Sequence, residues 1–372
     1  MPTPMGHDEL STDIDIAIIG GGSSGITLAS LLDNCTAVVF EPLSPEARDC
    51  TWSLWADKEY LSEFHAPIKG QWKQWRVVDH CKQVNHISAQ YSYISVSSSQ
   101  YIKYCESRLA EDIRVVRSHA SNFSFQRSVT SFVAAGKSYR AKKIYDSRQE
   151  KIQDGALRQH FLGWEITTKK PITDMHVATL MDFRVDQSRG LHFIYALPFS
   201  SHKLLVESTM ISTAPEERAW YQKAITDWLR LQEIEMVELL HEEFGVIPMT
   251  KQSNHHQFLP KIGVASGAIR LSSGYAFSLI QSQIKELVQR ISRKDYSVPM
   301  PVSPQLAWMD MVFNKVLLEN PSLGVQLMMS VAKALDGNGF ARFMLGRASI
   351  LDWFKVITYL PKTKFIKAAF YI

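Results

Sequence analysis

The sequence predicts an α/β protein: a Rossmann-like dinucleotide-binding domain with a parallel sheet, interrupted by an antiparallel substrate-binding sheet and completed by C-terminal helices. Three observations carry this. The β-branched run Ile16 to Ile19 leads straight into Gly20, Gly22 and Gly25. Strand-like alternation runs from His160 to Ser212. The stretch from Phe340 onward combines aromatic and basic residues in an amphipathic pattern.

Taken in order, Asp15 to Gly20 reads as a buried parallel strand, and Ser24 to Asn34 as a helix with Ile26, Leu28, Leu31 and Leu32 at helical spacing. Ala37 to Phe40 is a second strand ending at Glu41, which makes a βαβ unit. Ser44 to Asp57, rich in Ser, Pro and charge, reads as a loop, while Trp72–Asp79 and Tyr91–Val96 read as strands of a different sheet. Gln100–Glu111 is a predicted helix, and Ile113–Arg117 and Lys142–Asp146 are strands returning to the first sheet. Leu191–Leu197 and Lys203–Ser208 flank a turn at Pro198–Ser201; Glu216–Phe244 reads as an amphipathic helix pair and Ser278–Ile291 as a helix. The resulting division assigns 13–60, 100–160 and 251–295 to the cofactor domain, 61–99 and 161–250 to the substrate domain, and 296–372 to a C-terminal helical region.

At 372 residues the chain is long for one core. A hydrophobic fraction of 45% with 21% charged residues excludes general disorder. The net charge of +4 is mild and no aromatic-interleaved basic stripe suggests nucleic acid. Cys35, Cys50, Cys81 and Cys105 lack CxxC spacing, so reduced cytoplasmic thiols are expected and a metal site is not. Residues 1–12 are polar, arguing against a secretory leader, and no apolar run of about 18 residues suggests a spanning helix.

Gly20, Gly22 and Gly25 form GxGxxG between a strand and a helix, with Glu41 closing the next strand. The first glycine permits a tight turn, the second lets backbone approach a pyrophosphate, and the third lets helix and strand pack closely; the acidic residue suits ribose hydroxyls. A second glycine-rich segment, containing Gly263, Gly267 and Gly274, precedes a helix and suits a flavoprotein.

Four middle segments add a resemblance: Tyr-Asp-Ser-Arg at 145–148, Phe-Leu-Gly-Trp-Glu at 161–165, Met-Asp-Phe-Arg-Val-Asp-Gln at 181–187 and Tyr-Ala-Leu-Pro-Phe-Ser at 195–200. With Cys50–Ser53, Leu-Val-Glu-Ser-Thr at 205–209, Gly-Val-Ile-Pro-Met-Thr at 245–250 and the Gly263–Tyr275 loop, they resemble the bacterial lycopene cyclase family up to about residue 320. The resemblance implies the FAD-binding fold of the glutathione reductase and p-hydroxybenzoate hydroxylase type. It implies a non-redox reaction: a proton adds to a terminal double bond of a linear carotenoid such as lycopene, the cation closes a six-membered ring, and another proton leaves. It further implies a requirement for reduced FAD, with NADPH as the outside reductant.

On that resemblance Glu165 takes the acid's position, a surface strand glutamate being its alternative, with Asp182, Asp186 and Glu207 as second choices, for each of which an ion pair with Arg184 or Arg148 is the alternative. Arg148 joins the glycines and Glu41 as a cofactor residue. Arg270, standing with Leu271 where the family commonly has His-Pro, is expected near the pyrophosphate or the reduced ring. Trp164, Phe183, Tyr195, Phe199 and Tyr275 are candidates to line the polyene path. A flavin monooxygenase or reductase is the alternative on the same fold. The C-terminal stretch, with Phe354, Phe370, Lys355, Lys362, Lys364 and Lys367, is expected either to lie on a membrane lipid surface or to pack inward. Ring type, number of ends cyclised and oligomeric state are left open.

Overall fold

The computed structural model describes residues 12–126, 129–251 and 259–371; the polar N-terminal stretch, 1–11, lies outside them. Its elements are β1 (Thr12–Ile19), α1 (Ser23–Leu31), β2 (Ala37–Phe40), β3 (Thr51–Asp57), α2 (Lys58–Glu63), β4 (Gly70–Trp72), β5 (Gln74–Val78), β6 (Gln83–Ile87), β7 (Tyr91–Ser97), α3 (Ser98–Glu106), β8 (Ile113–Val116), β9 (Ala120–Gln126), β10 (Val129–Ala134) and β11 (Lys137–Asp146). They continue as β12 (Arg158–Thr168), β13 (Val177–Asp182), β14 (Leu191–Ser200), β15 (Lys203–Ser212), α4 (Arg218–Leu231), β16 (Met236–Pro248), α5 (Phe277–Ser292), α6 (Pro304–Glu319), α7 (Gly324–Ala334), α8 (Gly337–Met344), α9 (Ile350–Tyr359) and α10 (Lys362–Ala369).

The first sheet has the order β8-β2-β1-β11-β10-β9. Its first four strands are parallel, and β10 and β9 are antiparallel additions that the sequence reading did not anticipate. Strand β1 is buried on both faces, which is why it reads as a continuous apolar run. Ile16 and Ile18 pack towards α1 and α5, while Ala17 and Ile19 face a cluster containing Phe40, Phe132 and Tyr139.

The second sheet has the order β16-β12-β15-β14-β13-β5-β6 and is antiparallel except where β13 pairs with β5. Its two faces have different partners. Leu162, Ile166, Leu204 and Val206 pack against Tyr221, Ile225 and Trp228 of α4. Residues of the opposite parity, such as Phe193, Leu197 and Leu205, join the cluster that includes Met329, Phe340 and Met344 from the C-terminal helices.

Two expectations are corrected here. Thr51–Asp57, read as loop, is a strand paired residue for residue with β7 in a three-stranded sheet with β4. Its apolar half, Leu54 to Ala56, is buried. The second half of the predicted helix pair, Met236–Pro248, is a strand. Its Leu and Glu content favours helix, but its backbone groups pair along the whole of β12.

Candidate active site

A cleft of about 710 Å³ runs from the C-terminal ends of the parallel strands to the inward face of the seven-stranded sheet. Gly20, Gly22 and Glu41 line its outer end, and Tyr195, Glu207 and Thr209 its inner end.

At the outer end, Gly20 takes the left-handed φ of +92, and a Cβ on Gly25 would stand 2.0 Å from the Gly20 carbonyl oxygen, so helix and strand meet only because Gly25 lacks a side chain. Around Gly22 there is open space, and no side chain caps α1. Unsatisfied N–H groups at a helix N-terminus favour an anion, and these fit a dinucleotide pyrophosphate. Glu41 Oε2 accepts from the Gly21 N–H at 2.8 Å and Oε1 from the Leu43 N–H at 3.0 Å, fixing the carboxylate at the end of β2. Arg148 lines the same cleft while donating to both oxygens of buried Asp146 at 2.9 Å. Gly263 (φ +67) lets its loop close on α1, since a Cβ there would meet Ser24 Oγ at 2.4 Å. Gly267 (φ +91) ends the short turn that follows, and neither glycine is among the lining residues. Ser273 to Phe277 extend the lining.

The inner end is set by strand register. Gly163 of β12 lies between Glu207 of β15 and Glu243 of β16, and Tyr195 of β14 is beside Glu207. Side chains two apart share a face, so Phe161, Glu207 and Tyr195 all project inward. A Cβ on Gly163 would lie 2.7 Å from Glu207 Cγ and 3.1 Å from Glu243 Cγ. Two carboxyl groups therefore meet in the space this glycine leaves. Glu207 is 7% exposed and Glu243 4%. Burial pushes Glu207 well above the usual carboxylate range, and the neighbouring Glu243 pushes it further. Burial also raises Glu243, against the hydrogen bond its Oε2 accepts from the Thr51 N–H at 2.6 Å. Tyr195 OH donates to Ser53 Oγ at 2.9 Å and lies 2.8 Å from Tyr93 OH; burial keeps both phenols neutral.

Other predicted residues are placed elsewhere. Glu165 shares Gly163's face but is one pleat further along, where it accepts from Lys69 Nζ at 2.6 Å and is not among the lining residues. Trp164 necessarily points to the other face, where its Nε1 donates to Glu242 at 2.8 Å beside the α4 cluster. Burial works to raise Asp182, but donors on Arg184 and Trp228 outweigh it and hold the carboxyl below its usual range, which makes it a structural anion. Phe183 is core, 5.8 Å from the Phe193 ring centroid. Phe199 packs on Trp72 and under the Lys69 ammonium, outside the cleft. Tyr275 lines the cleft and stacks at a tilt on Trp55.

Arg270 is a correction. Its guanidinium is 1% exposed, paired in a fork with Asp310 at 2.8 Å and donating to the Phe343 carbonyl. Those partners hold the side chain, which fastens the late loop to α6 and α8 and is not among the residues lining the cleft.

Glu243 was missed because its segment was read as helix; alternation along a strand would have placed it, with Gly245, opposite Gly163 and Phe161. Thr51 to Ser53, Tyr93 and Met344 also line the cleft. No side-chain cluster suited to a metal ion occurs among the described residues.

A family model described as lycopene cyclase protein matches residues 15–369. The chain belongs to the lycopene cyclase family. A lycopene beta-cyclase of Pseudescherichia vulneris is 27% identical over 202 residues, 50% of each chain. One of Pantoea ananas is 25% identical over 227 residues, 56% of this chain and 58% of that one. The chain thus spans only half to three fifths of these curated relatives. Among solved structures, a geranylgeranyl bacteriochlorophyll reductase-like protein from Thermoplasma acidophilum superposes with a TM-score of 0.62 at 13% identity, covering 97% of this chain and 100% of that one. A halogenase in complex with phloroglucinol and FAD gives 0.53 at 10% identity over 96% and 93%. These likenesses show the fold, Rossmann-like and of the FAD-binding type, which this lycopene cyclase family member shares.

Proposed function

We propose that this protein closes a ring at the end of lycopene or a related linear carotenoid by acid–base chemistry, as a lycopene beta-cyclase, with reduced FAD in the cleft. Glu207 carries this reading: a buried carboxylic acid, held protonated by burial and a neighbouring carboxyl, at the far end of a cleft whose mouth is a dinucleotide cradle. Such an acid keeps its proton at neutral pH and can deliver it to an alkene, which a solvated carboxylate cannot. The family and the two beta-cyclase relatives support the substrate class.

The residues fit FAD. Gly20, Gly22 and the α1 N-terminus would hold the pyrophosphate, Glu41 the ribose, and the Ser273–Phe277 loop the ring system. Bound reduced FAD supplies an electron-rich ring near the developing cation, and NADPH is the expected outside source of electrons. The chain itself does the rest. Phe161, Phe193 and Met344 wall the inner cleft and exclude water. Trp52, Trp55, Tyr195 and Tyr275 present rings to cationic character, and Glu207 moves the proton.

The test is anaerobic incubation with liposomal lycopene and photoreduced FAD, followed by pigment analysis. Cyclic product without net flavin oxidation is expected, together with loss of ring formation but not of FAD binding in Glu207→Gln. A product that needs oxygen and one reductant per turnover would replace the cyclase reading with a monooxygenase or reductase. Because the substrate resides in lipid, the proposal includes peripheral contact with the membrane, from the cytoplasmic side.

A further inference from the structure

Two carboxyl groups meet at Gly163, but only Glu207 reaches the cleft. Glu243 is anchored behind it. Its Oε2 accepts from the Thr51 N–H, which suits an ionised oxygen, and its Oε1 is buried with no donor among the described residues unless Glu207 carries the proton. Like charges this close and this buried cannot both persist, so the pair keeps a proton, and the Thr51 N–H makes Glu243 the member that carries the charge.

The surroundings favour that state. Lys69, the nearby ammonium, is already neutralised by Glu165. His241 is turned to the Asp49 carbonyl at 3.0 Å, and Tyr93 and Tyr195 are neutral phenols. The Cys50 thiol, pushed up to about 12 by burial, is neutral as well. Lys69 and His241 are the cations near the pair, and both favour a negative charge on Glu243.

We propose that Glu243 is a positioning residue for proton transfer, holding the mobile proton on Glu207 between turnovers and making the pair the acceptor of the proton that the ring cation must lose. This rests on the cyclase reading above. The step balances. The Glu207 O–H bond breaks as a C–H bond forms on the terminal alkene, whose electron pair is consumed; the next alkene closes the ring and leaves a cation. Both carboxylates are then negative and adjacent, an unfavourable state that makes them a strong base. An adjacent C–H bond breaks, its electrons form the ring double bond, and the proton restores the pair.

Initial anaerobic rates on liposomal lycopene with reduced FAD, measured from about pH 6 to about pH 9 on wild type and Glu243→Gln, test this. Removing the anion should lower turnover about 10-fold or more, leave KM and flavin absorbance unchanged, and move the basic limb of the profile down by about a pH unit or more. A limb that stays in place, at whatever rate, overturns the proposal. If Glu243→Gln does not fold, infrared difference spectra of wild type minus Glu207→Gln decide: a protonated carboxyl band at neutral pH that shifts in Glu243→Asp supports the pair, and its absence refutes it. Should the wild type form no cyclic product while that band is present, the cyclase reading fails and the carboxyl pair stands.

Discussion

At Gly163 the lack of a side chain is what brings Glu207 and Glu243 together, so the glycine is as much a part of the site as the acids. Gly163→Ala would place a methyl 2.7 Å from Glu207 Cγ and 3.3 Å from Glu243 Oε1. Overpacking of this kind costs about 1–3 kcal/mol. We expect a matching drop in the urea midpoint and ring formation reduced far more than FAD binding, measured by pigment analysis beside flavin absorbance. Equal losses of both would mean the substitution acts through global stability. Residue roles were legible in the sequence only where one-dimensional neighbours decide them. The tight turn and close packing at the glycines around α1 were. Arg270 was not, because the Asp310 that pairs with it lies 40 positions away. Trp164 and Glu165 were both expected at the site, yet adjacent residues of a strand cannot share a face.

The elements tell a similar story at longer range. The βαβ unit β1–α1–β2 announces itself through local periodicity and glycines, whereas β16 becomes a strand only through its pairing with β12. Strands β12 and β14 also carry two buried histidines. His160 lies between Tyr221 OH at 2.5 Å and Ser212 Oγ at 2.9 Å, and His192 between the Asp186 carbonyl and Ser208 Oγ, both at 2.9 Å. Burial pushes each down to about 4 from an ordinary value of 6.5. The unfolded chain therefore binds these protons first as pH falls. Their contribution to stability is present in full above about pH 6.5 and is lost as pH drops towards 4, at up to about 1.4 kcal/mol per pH unit for each histidine. Thermal melts at pH 7 and pH 5 should show this loss, and His160→Gln and His192→Gln should each flatten the dependence. Unchanged slopes in both variants would assign acid sensitivity elsewhere.

Over the whole molecule, the C-terminal region packs inward with its first part and leaves an apolar surface exposed with its second. Phe340, Met344 and Leu345 are buried in the core over the substrate sheet, and Met344 lines the cleft. Beyond them, Ile350, Leu351, Phe354 and Ile357 of α9 and Ile366, Phe370 and Tyr371 at the end of the chain are exposed, Ile350 by 88% and Phe370 by 83%. Exposed Lys355, Lys362, Lys364 and Lys367 accompany them. No helix among the described residues is long and apolar enough to cross a membrane. An apolar surface flanked by lysines suits an anionic lipid surface, into which the apolar side chains insert while the ammonium groups meet headgroups. That arrangement would place the entrance for a bilayer-dissolved substrate beside the helices that wall the cleft. Truncation at residue 340 is a poor test, since it removes core and cleft wall together. Replacing Ile350, Leu351 and Phe354 by Ser leaves the core intact. This variant should keep its melting temperature and FAD binding but lose most of its co-sedimentation with liposomes containing anionic lipid. Its turnover should fall on liposomal substrate and recover on detergent-solubilised substrate; undiminished co-sedimentation would remove α9 from the membrane contact.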